Sequence, residues 1–405
     1  MKGLNTPFYQ LCMWADHRSH SMSVYRWVCL FSCAMLWSCS EEDELCNCAV
    51  PQPSVAQVTT IDMGDPDEYE LVPYPSHYGQ AQNTDNVPAD NPITNEGSSL
   101  GRVLFYDTEL SQNRTISCAS CHVQSLGFTD SAQFSTGYLG GKTAFHSMRL
   151  GNGRFYAPGL QFWDRRSISL EDQSTQPIED HIEMGFDSAN GGIDALIQRL
   201  DGLLYYRELF EWVFGDAVIT EDRIQKALGQ FVRSMVSYDS RFDQGYAQTF
   251  DPSIPGVGLL ADFPNFSEDE NEGKRIFMTP ARLGGAGCND CHQAPAFTLD
   301  GPVLSNGLIP GETRVFKAPS LKNIGLTGPF MHGGQLPDLL SVIEHYDNGI
   351  KSGPALDPLL RDPANQQPLR LNLTDREKFV LLSFLFTLDD PTLTTDQKFS
   401  DPFRR

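Results

Sequence analysis

Basic residues are scarce in this sequence, and it contains no long apolar run. Its 405 residues hold 30 Lys and Arg against 52 Asp and Glu, a formal net charge of -22. This surplus of negative charge argues against binding to nucleic acid or to an anionic membrane surface. The apolar run of about 11 residues from Trp27 to Trp37 is too short to cross a bilayer as a helix, which takes about 20. Patterns typical of β-strands are also sparse, which favours a mostly α-helical protein.

The cysteines do not form a disulfide framework. Of the ten, four lie near the N-terminus, four lie in two C-x-x-C-H motifs, and Cys46 and Cys48 are too close together to cross-link a fold. With Met22 as the better start, the segment that follows is typical of a secretory signal, and the residues up to Cys39 resemble a lipobox. We therefore predict that residues 1–48 are a signal and tether with a lipid anchor at Cys39. An uncleaved signal or a buried helix is the alternative.

The C-x-x-C-H motif occurs twice, as Cys118-Ala119-Ser120-Cys121-His122 and as Cys288-Asn289-Asp290-Cys291-His292. It is the attachment motif of a c-type haem, in which two thiols bond to the porphyrin and the histidine is the proximal iron ligand. A thioredoxin-like redox pair or half of a zinc site needs no adjacent histidine. Two complete motifs therefore predict two covalently bound haems, with His122 and His292 on the two irons. Because bacterial c-type assembly takes place outside the cytoplasmic membrane, we also predict a periplasmic protein.

Each motif follows a predicted helix. Residues 95–106 have helical apolar spacing, and Ser267 with Glu270 forms a capping-box pattern at the start of the segment 267–277. GRVLF in the first segment is echoed by GKRIF in the second, so helix, loop and motif form a weak internal repeat. We therefore predict a mostly α fold with two cytochrome c-like domains, each carrying one covalently bound haem. The predicted segments are 1–48 (signal and tether), 49–92 (extended linker or coat), 93–250 (N-terminal haem domain) and 265–395 (C-terminal haem domain).

Two more helices are predicted. Residues 220–241 carry apolar side chains on one face, as in an amphipathic helix, and Met235 on that face is assigned to the core and not to an iron. Thr374 and Glu377 form a capping-box pattern that opens a terminal apolar helix, 379–388.

Further motifs resemble the bacterial dihaem cytochrome c peroxidases and their MauG-type relatives, over roughly residues 90–390. They follow the family's order: Phe162-Trp163-Asp164-Arg165, Gln173, Pro177-Ile178, Glu183-Met184-Gly185 and the run from Lys317 to His332. The resemblance implies that electrons enter at the C-terminal haem and that peroxide is reduced at the N-terminal haem. It also implies that Glu183 is the acid–base, Gln173 its pocket partner and Trp163 the aromatic group between the haems. Taken alone, Glu183 would be a solvated surface residue and Trp163 a core aromatic.

The sequence departs from the best-known peroxidases at both haems. Their removable distal histidine lies in the glycine-rich stretch after the first motif, but residues 135–141 contain no histidine. We therefore predict an N-terminal haem that is open at rest. The distal ligand of the second haem is usually methionine, whereas the corresponding residue here is Tyr346, as in the MauG-type branch. His345 and Met331 are the rival ligands, and Tyr346 as a plain core aromatic is the remaining alternative.

The resemblance also implies a calcium site between the domains. Thr327 and Pro329 match positions that offer backbone carbonyl oxygens, which suit calcium. His146 replaces an asparagine of this site and removes one oxygen ligand, so the predicted calcium site has one ligand fewer.

Three functions remain open at this point. The first is reduction of hydrogen peroxide with electrons from a soluble c-type cytochrome or a cupredoxin. The second is MauG-type oxidation of a protein or organic substrate through high-valent haems, which Tyr346 favours. The third is a plain dihaem electron carrier, which the pairing of Gln173 with Glu183 disfavours. A homodimer is the expected assembly if the chain follows other family members.

Overall fold

Side-chain caps and apolar faces organise the helices of this protein. The computed structural model describes residues 52–70, 74–79, 81–299, 301 and 304–404, so the predicted signal, the tether and Cys39 lie outside the described residues. The α-helices, numbered in chain order, are α1 Val55–Val58, α2 Asn95–Tyr106, α3 Cys118–Cys121, α4 Leu170–Glu179, α5 Gly192–Asp201, α6 Leu204–Phe214, α7 Glu221–Ser234, α8 Arg241–Thr249, α9 Pro255–Leu260, α10 Glu268–Met278, α11 Leu339–Glu344, α12 Asp375–Leu385 and α13 Pro391–Thr395.

Shorter helical turns connect these helices. The 3-10 turns are Ser76–Tyr78, Ala81–Thr84, Thr108–Leu110, Gln124–Leu126, Gly153–Phe155, Ser188–Asn190, Ala281–Leu283, Cys288–Asp290, Ile324–Leu326, Pro358–Leu360, Phe386–Leu388 and Gln397–Phe399, and His345–Gly349 is a π-helix. Within the described ranges the extended segments pair only as isolated bridges and no β-strand forms. The prediction of a mostly α fold is therefore confirmed. No helix in these ranges combines the length and the apolar character that a bilayer crossing requires.

Helices α2 and α7 cross at very short range in the first half of the chain. The side chain of Thr94 caps α2 by accepting a hydrogen bond from the Gly97 amide at 3.0 Å. At the crossing, a Cβ added to Gly101 would lie 2.0 Å from the Ala227 carbonyl oxygen. Only glycine allows the two backbones to approach this closely. The buried residues around the crossing form the first hydrophobic core, which includes Leu104, Phe105, Leu228 and Phe231.

The second half repeats this crossing with α10 and α12. Both predicted capping boxes are present, Ser267 with Glu270 on α10 and Thr374 with Glu377 on α12. A Cβ on Gly273 would lie 1.9 Å from the Val380 carbonyl oxygen. Gly101 and Gly273 are the glycines of the GRVLF and GKRIF segments, so the sequence repeat is also a repeat of one helix crossing. The core around the second crossing is aromatic and includes Phe242, Phe277, Phe297 and Phe384.

The predicted helix 220–241 is wrong in its last third, since α7 ends at Ser234 and α8 begins at Arg241. Between them the chain makes tertiary hydrogen bonds to Asn152. The Asn152 amide donates to the Met235 carbonyl oxygen at 2.9 Å, and its side-chain oxygen accepts from the Ser237 amide at 2.7 Å. These tertiary contacts outweigh the local preference for helix. Met235 is fully buried in the first core, as predicted.

The segment predicted as a linker or coat has little regular structure but is firmly held. Tyr69 and Tyr78 are buried, and their hydroxyls donate at 2.7 Å to the carbonyl oxygens of Lys398 and Ser237. Phe399, near the end of the chain, also packs in the first core. Residues near both ends of the described chain, Tyr69 and Phe399, thus pack in the first hydrophobic core.

Candidate active site

The first C-x-x-C-H motif lies in the wall of a cavity of about 470 Å³. Residues Cys118–Cys121 form the single turn α3, and both thiols and His122 line the cavity. His122 Nδ1 lies 2.9 Å from the Phe128 carbonyl oxygen. A proton on Nδ1 donates to that oxygen and leaves Nε2 free to bind a metal. Burial lowers the pKa of His122, which favours the neutral imidazole that metal binding requires.

The second motif opens into a separate cavity of about 210 Å³, which Cys288, Cys291 and His292 line together with apolar side chains. Cys288–Asp290 is a 3-10 turn that follows Gly287, whose φ is 68°. Burial, with a smaller contribution from the positive charge of Arg149, lowers the pKa of His292 to about 4. The imidazole is therefore neutral at physiological pH and can bind a metal.

The side chains that line the two cavities suit the attachment of a c-type haem. The four cysteines are free thiols, and burial raises the pKa of Cys118 and Cys288 to about 12. A zinc site would need thiolates and further ligands, but the part of the chain that the structure describes contains no group of three or more His, Cys, Asp or Glu able to hold a metal ion. Paired thiols, one neutral histidine and a concave apolar wall are what a c-type haem requires.

Glu183 lines the first cavity because of the turn that follows α4. The Asp180 side chain accepts hydrogen bonds from the amides of Ile182 and Glu183, at 2.8 and 3.0 Å. The Gly185 amide closes the turn on the Asp180 carbonyl oxygen at 2.9 Å. The Glu183 carbonyl oxygen accepts from the Tyr138 amide, also at 2.9 Å, which joins this turn to the loop after the first motif. The backbone position of Glu183 is therefore held from both sides.

The surroundings of Glu183 raise its pKa to about 7. Burial is the main cause, the negative charge of Asp180 adds to it, and the positive charge of Arg166 opposes both. Arg166 pairs with Asp164 at 2.9 Å and lies 3.5 Å from the centre of the Phe162 ring, so its charge is partly neutralised. A carboxyl group with a pKa near the working pH can both accept and donate a proton.

Gln173, on α4, lines the same cavity as Glu183. Among the described residues no hydrogen bond joins the two side chains, so the structure brings them to one cavity without pairing them. The loop 135–141 contributes Ser135 and Gly137 to this cavity, and the only histidines of the described chain that line it are His122 and His146.

Trp163 lies in the walls of both cavities. Its indole Nε1 donates to the His146 carbonyl oxygen at 2.7 Å. The residues that line both cavities, here called the shared wall, are Arg149, Trp163, Lys317, Ala318 and Pro319.

Of the three residues considered as distal ligand in the second cavity, Tyr346 and Met331 line it and His345 does not. His345 Nε2 instead lies 3.1 Å from the Asn306 carbonyl oxygen. The Asn306 side-chain amide donates towards Met331 Sδ at 3.3 Å and Tyr346 Oη at 3.5 Å. Burial raises the pKa of Tyr346 to about 12. The π-helix His345–Gly349 carries this tyrosine, and such helices are frequent at functional sites.

The structure does not test the calcium site predicted at Thr327 and Pro329. Thr327 is buried. The His146 ring is occupied by protein atoms, because its Nδ1 lies 3.1 Å from the Ala132 carbonyl oxygen and its Nε2 lies 3.3 Å from Thr129 Oγ1. Burial also lowers the pKa of His146. The calcium site at Thr327 and Pro329 stays a prediction.

The sequence analysis missed three charged residues of the site. Asp180 stands three positions before Glu183, and an aspartate at that spacing is typical of a side-chain-capped turn, which could have identified it. Arg166 directly follows the Phe162–Arg165 motif, but nothing in the sequence shows that its charge acts on Glu183. Arg149 has no local signal, because only the fold brings it between the two cavities.

Known proteins resemble this chain over most of its length. The family model described as di-haem cytochrome c peroxidase matches residues 95–250. The methylamine utilization protein MauG of Methylorubrum extorquens is 32% identical over 317 residues, which cover 74% of this chain and 80% of that protein. The cytochrome c551 peroxidase of Nitrosomonas europaea is 30% identical over 275 residues, covering 64% and 75%.

A solved structure gives the same result. A MauG-like protein associated with microbial copper homeostasis is 30% identical, has a TM-score of 0.64 and covers 78% of this chain and 96% of its own. With its two haem motifs, its helical fold and these relatives, the chain belongs to the di-haem cytochrome c peroxidase and MauG family of oxidoreductases.

Proposed function

We propose that this protein reduces hydrogen peroxide to water at the N-terminal haem, with electrons that a c-type cytochrome or a cupredoxin delivers through the C-terminal haem. The observation that carries the proposal is Glu183, a half-buried carboxyl group with a pKa of about 7 in the cavity of the first haem motif. The second cavity has Asp357 in its wall, and this side chain accepts a hydrogen bond from the Leu359 amide at 2.9 Å. Asp357 is the only carboxylic acid among the described residues that line the second cavity. The raised pKa of Glu183 therefore supports peroxide chemistry in the first cavity.

The residues of the first cavity have separate tasks in this reaction. When bound at His122, the haem supplies the redox-active iron at which the O–O bond of peroxide is broken. Glu183 accepts a proton from peroxide and returns it to the departing oxygen, which leaves as water. Gln173 can donate a hydrogen bond that orients peroxide beside Glu183. Two electrons and two protons from outside the site complete the conversion of one peroxide to two waters.

Two further features support this assignment. Trp163 places an aromatic ring in the wall between the two cavities, where it shortens the gap that electrons must cross. The loop 135–141 brings no histidine to the first cavity, so we propose that the N-terminal haem is open at rest. A bis-histidine spectrum of that haem in the oxidised protein would contradict this. Since thioether attachment of haem takes place outside the cytoplasm in bacteria, we also propose a periplasmic location.

Replacing Glu183 by glutamine tests the proposed acid–base. Glu183→Gln keeps the size of the side chain but removes its proton transfer, so we expect peroxide turnover with a reduced cytochrome to fall by about 10²- to 10⁴-fold. Glu179→Gln is the matched control, because Glu179 ends α4 and does not line the first cavity. Haem content and absorption spectra should be unchanged in both variants. Undiminished turnover in Glu183→Gln would remove the basis of the proposal.

A MauG-type function is the second candidate, and Tyr346 favours it. A phenolate at the second iron would favour the ferric state and lower the reduction potential, as suits an enzyme that oxidises a protein or organic substrate. Tyr346→Phe should then change the absorption spectrum and raise the potential of the C-terminal haem, whereas Met331→Leu should leave both unchanged. If only Met331→Leu changes them, methionine is the ligand and this second candidate loses its support.

A further inference from the structure

Two cations in the shared wall lack a carboxylate partner. Arg149 and Lys317 line both cavities, and no carboxylate of the described chain lies within ion-pair distance of either. Burial lowers the pKa of Arg149 to about 9 and that of Lys317 to about 7. Burying a charge without a counter-charge is costly, and buried charges in proteins are generally paired.

The hydrogen bonds of these two side chains leave donors unused. Arg149 Nε donates to the Ser320 carbonyl oxygen and Nη2 approaches the Pro319 carbonyl oxygen at 3.5 Å, while Nη1 has no partner among the described residues. Lys317 Nζ donates to Gln161 Oε1 at 2.7 Å and lies 4.5 Å from the centre of the Tyr156 ring. A guanidinium has five N–H donors and an ammonium has three, so both can bind further acceptors.

Acidic residues are present in both cavity walls, but none of them pairs with Arg149 or Lys317. Asp164 pairs with Arg166, Asp180 accepts from two backbone amides and Asp357 accepts from one. Glu183 also lines the first cavity, and it forms no ion pair with Arg149 or Lys317. The whole chain has 52 acidic residues against 30 basic ones. The lack of a partner for the two cations is therefore not caused by a shortage of carboxylates in the protein. It indicates that the missing anions belong to the groups that fill the cavities.

We propose that Arg149 and Lys317 are the anion-binding groups of the shared wall, which hold propionate carboxylates of the two porphyrins and offset their negative charge beside the two redox sites. Each haem carries two propionates, so two haems bring more than enough negative charge to pair with both cations. Offsetting the propionate charge favours the reduced form of each haem, because reduction adds an electron and is opposed by nearby uncompensated negative charge. The inference rests on haem occupancy of both cavities and does not require peroxide turnover.

Midpoint potentials of the holoprotein test this role, measured by spectroelectrochemical titration. Arg149→Gln and Lys317→Gln remove one charge each and retain an amide donor. We expect each to lower the equilibrium constant for reduction of both haems roughly tenfold, which is about 59 mV for a one-electron couple. Arg149→Lys keeps the charge and should stay close to the native potentials. Arg223→Gln is the surface control. Arg223 lines neither cavity and pairs with Asp216 at 2.6 Å, so this variant should cause no shift in the potentials.

Each outcome decides for or against the proposal. Native potentials in both glutamine variants, with two haems bound, would overturn it. If neither glutamine variant retains two haems, maturation is compared for Arg149→Lys and Lys317→Arg. Two bound haems in both charge-retaining variants would support the proposal, and haem loss in either would count against it. Because the readouts are potentials and haem content, a failed proposal here is distinct from a failed assignment of Glu183.

Discussion

Replacing Gly101 by alanine tests the helix crossing on which the first core is built. The added Cβ would lie 2.0 Å from the Ala227 carbonyl oxygen and 2.7 Å from Cβ of Phe231. Since favourable contacts between carbon atoms lie at about 3.5 to 4.0 Å, α2 and α7 would have to separate by more than about 1 Å. The variant therefore cannot keep the native packing of this core.

The expected cost follows from which atom is in the way. A side chain can rotate away from a new methyl group, but the Ala227 carbonyl belongs to the backbone of α7. Overpacking a core costs about 1 to 3 kcal/mol and occasionally more, and a backbone obstruction places Gly101→Ala at about 3 kcal/mol. Single domains are stable by about 5 to 15 kcal/mol, so this variant should lose a large share of its stability.

Urea unfolding of the holoprotein, followed by circular dichroism and by haem absorbance, measures this loss. Gly273→Ala is the matched variant at the second crossing, where the added Cβ would lie 1.9 Å from the Val380 carbonyl oxygen. Gly256→Ala is the control, because a Cβ there meets no atom within 4 Å, and it should be neutral or slightly stabilising. If Gly101→Ala unfolds at the same urea concentration as Gly256→Ala, the argument from close helix approach is refuted.

Two further predictions concern pH and calcium. The pKa of Glu183 is raised to about 7, so between its ordinary value and pH 7 the folded protein holds a proton that the unfolded chain releases, and its free energy of unfolding falls as pH rises through that window. At about 1.36 kcal/mol per pKa unit, this change in the free energy of unfolding is at most roughly 3 kcal/mol. Glu183→Gln should remove it. Equal slopes of stability against pH in the native protein and in Glu183→Gln would contradict the shifted pKa. If Thr327 and Pro329 hold calcium, a chelator should lower the Tm of the holoprotein, since a ligand that binds only the folded state stabilises it, and readdition of calcium should restore the Tm. An unchanged Tm after chelation would remove the calcium prediction.

Local chemistry explains what could be predicted. The haem motifs, the capping boxes at Ser267 and Thr374, and the helix 95–106 each depend on residues within a few positions of one another, so they can be recognised in the sequence alone. The repeat of GRVLF and GKRIF pointed to two similar halves. The order of motifs around Trp163 and Glu183 indicated the family before any contact was known.

The features that could not be predicted depend on residues far apart in the chain. The helix predicted for 220–241 stops at Ser234 because Asn152, more than 80 residues earlier, takes over the hydrogen bonds of the following segment. The candidate ligands Met331 and His345 also differ through a distant residue. Asn306 donates its side-chain amide towards Met331 Sδ, and its backbone carbonyl oxygen lies 3.1 Å from His345 Nε2.

The sequence by itself determined the two C-x-x-C-H motifs, the helical class, the helices 95–106 and 267–277 and the family, because short-range spacing and composition carry that information. Tertiary structure alone decided that Glu183 faces the first cavity with a raised pKa and that Arg149 joins Lys317 in the wall between two cavities. Burial and charge at a point depend on every element packed around it. A pattern of neighbouring residues cannot contain that information, since the elements concerned meet only when the chain folds.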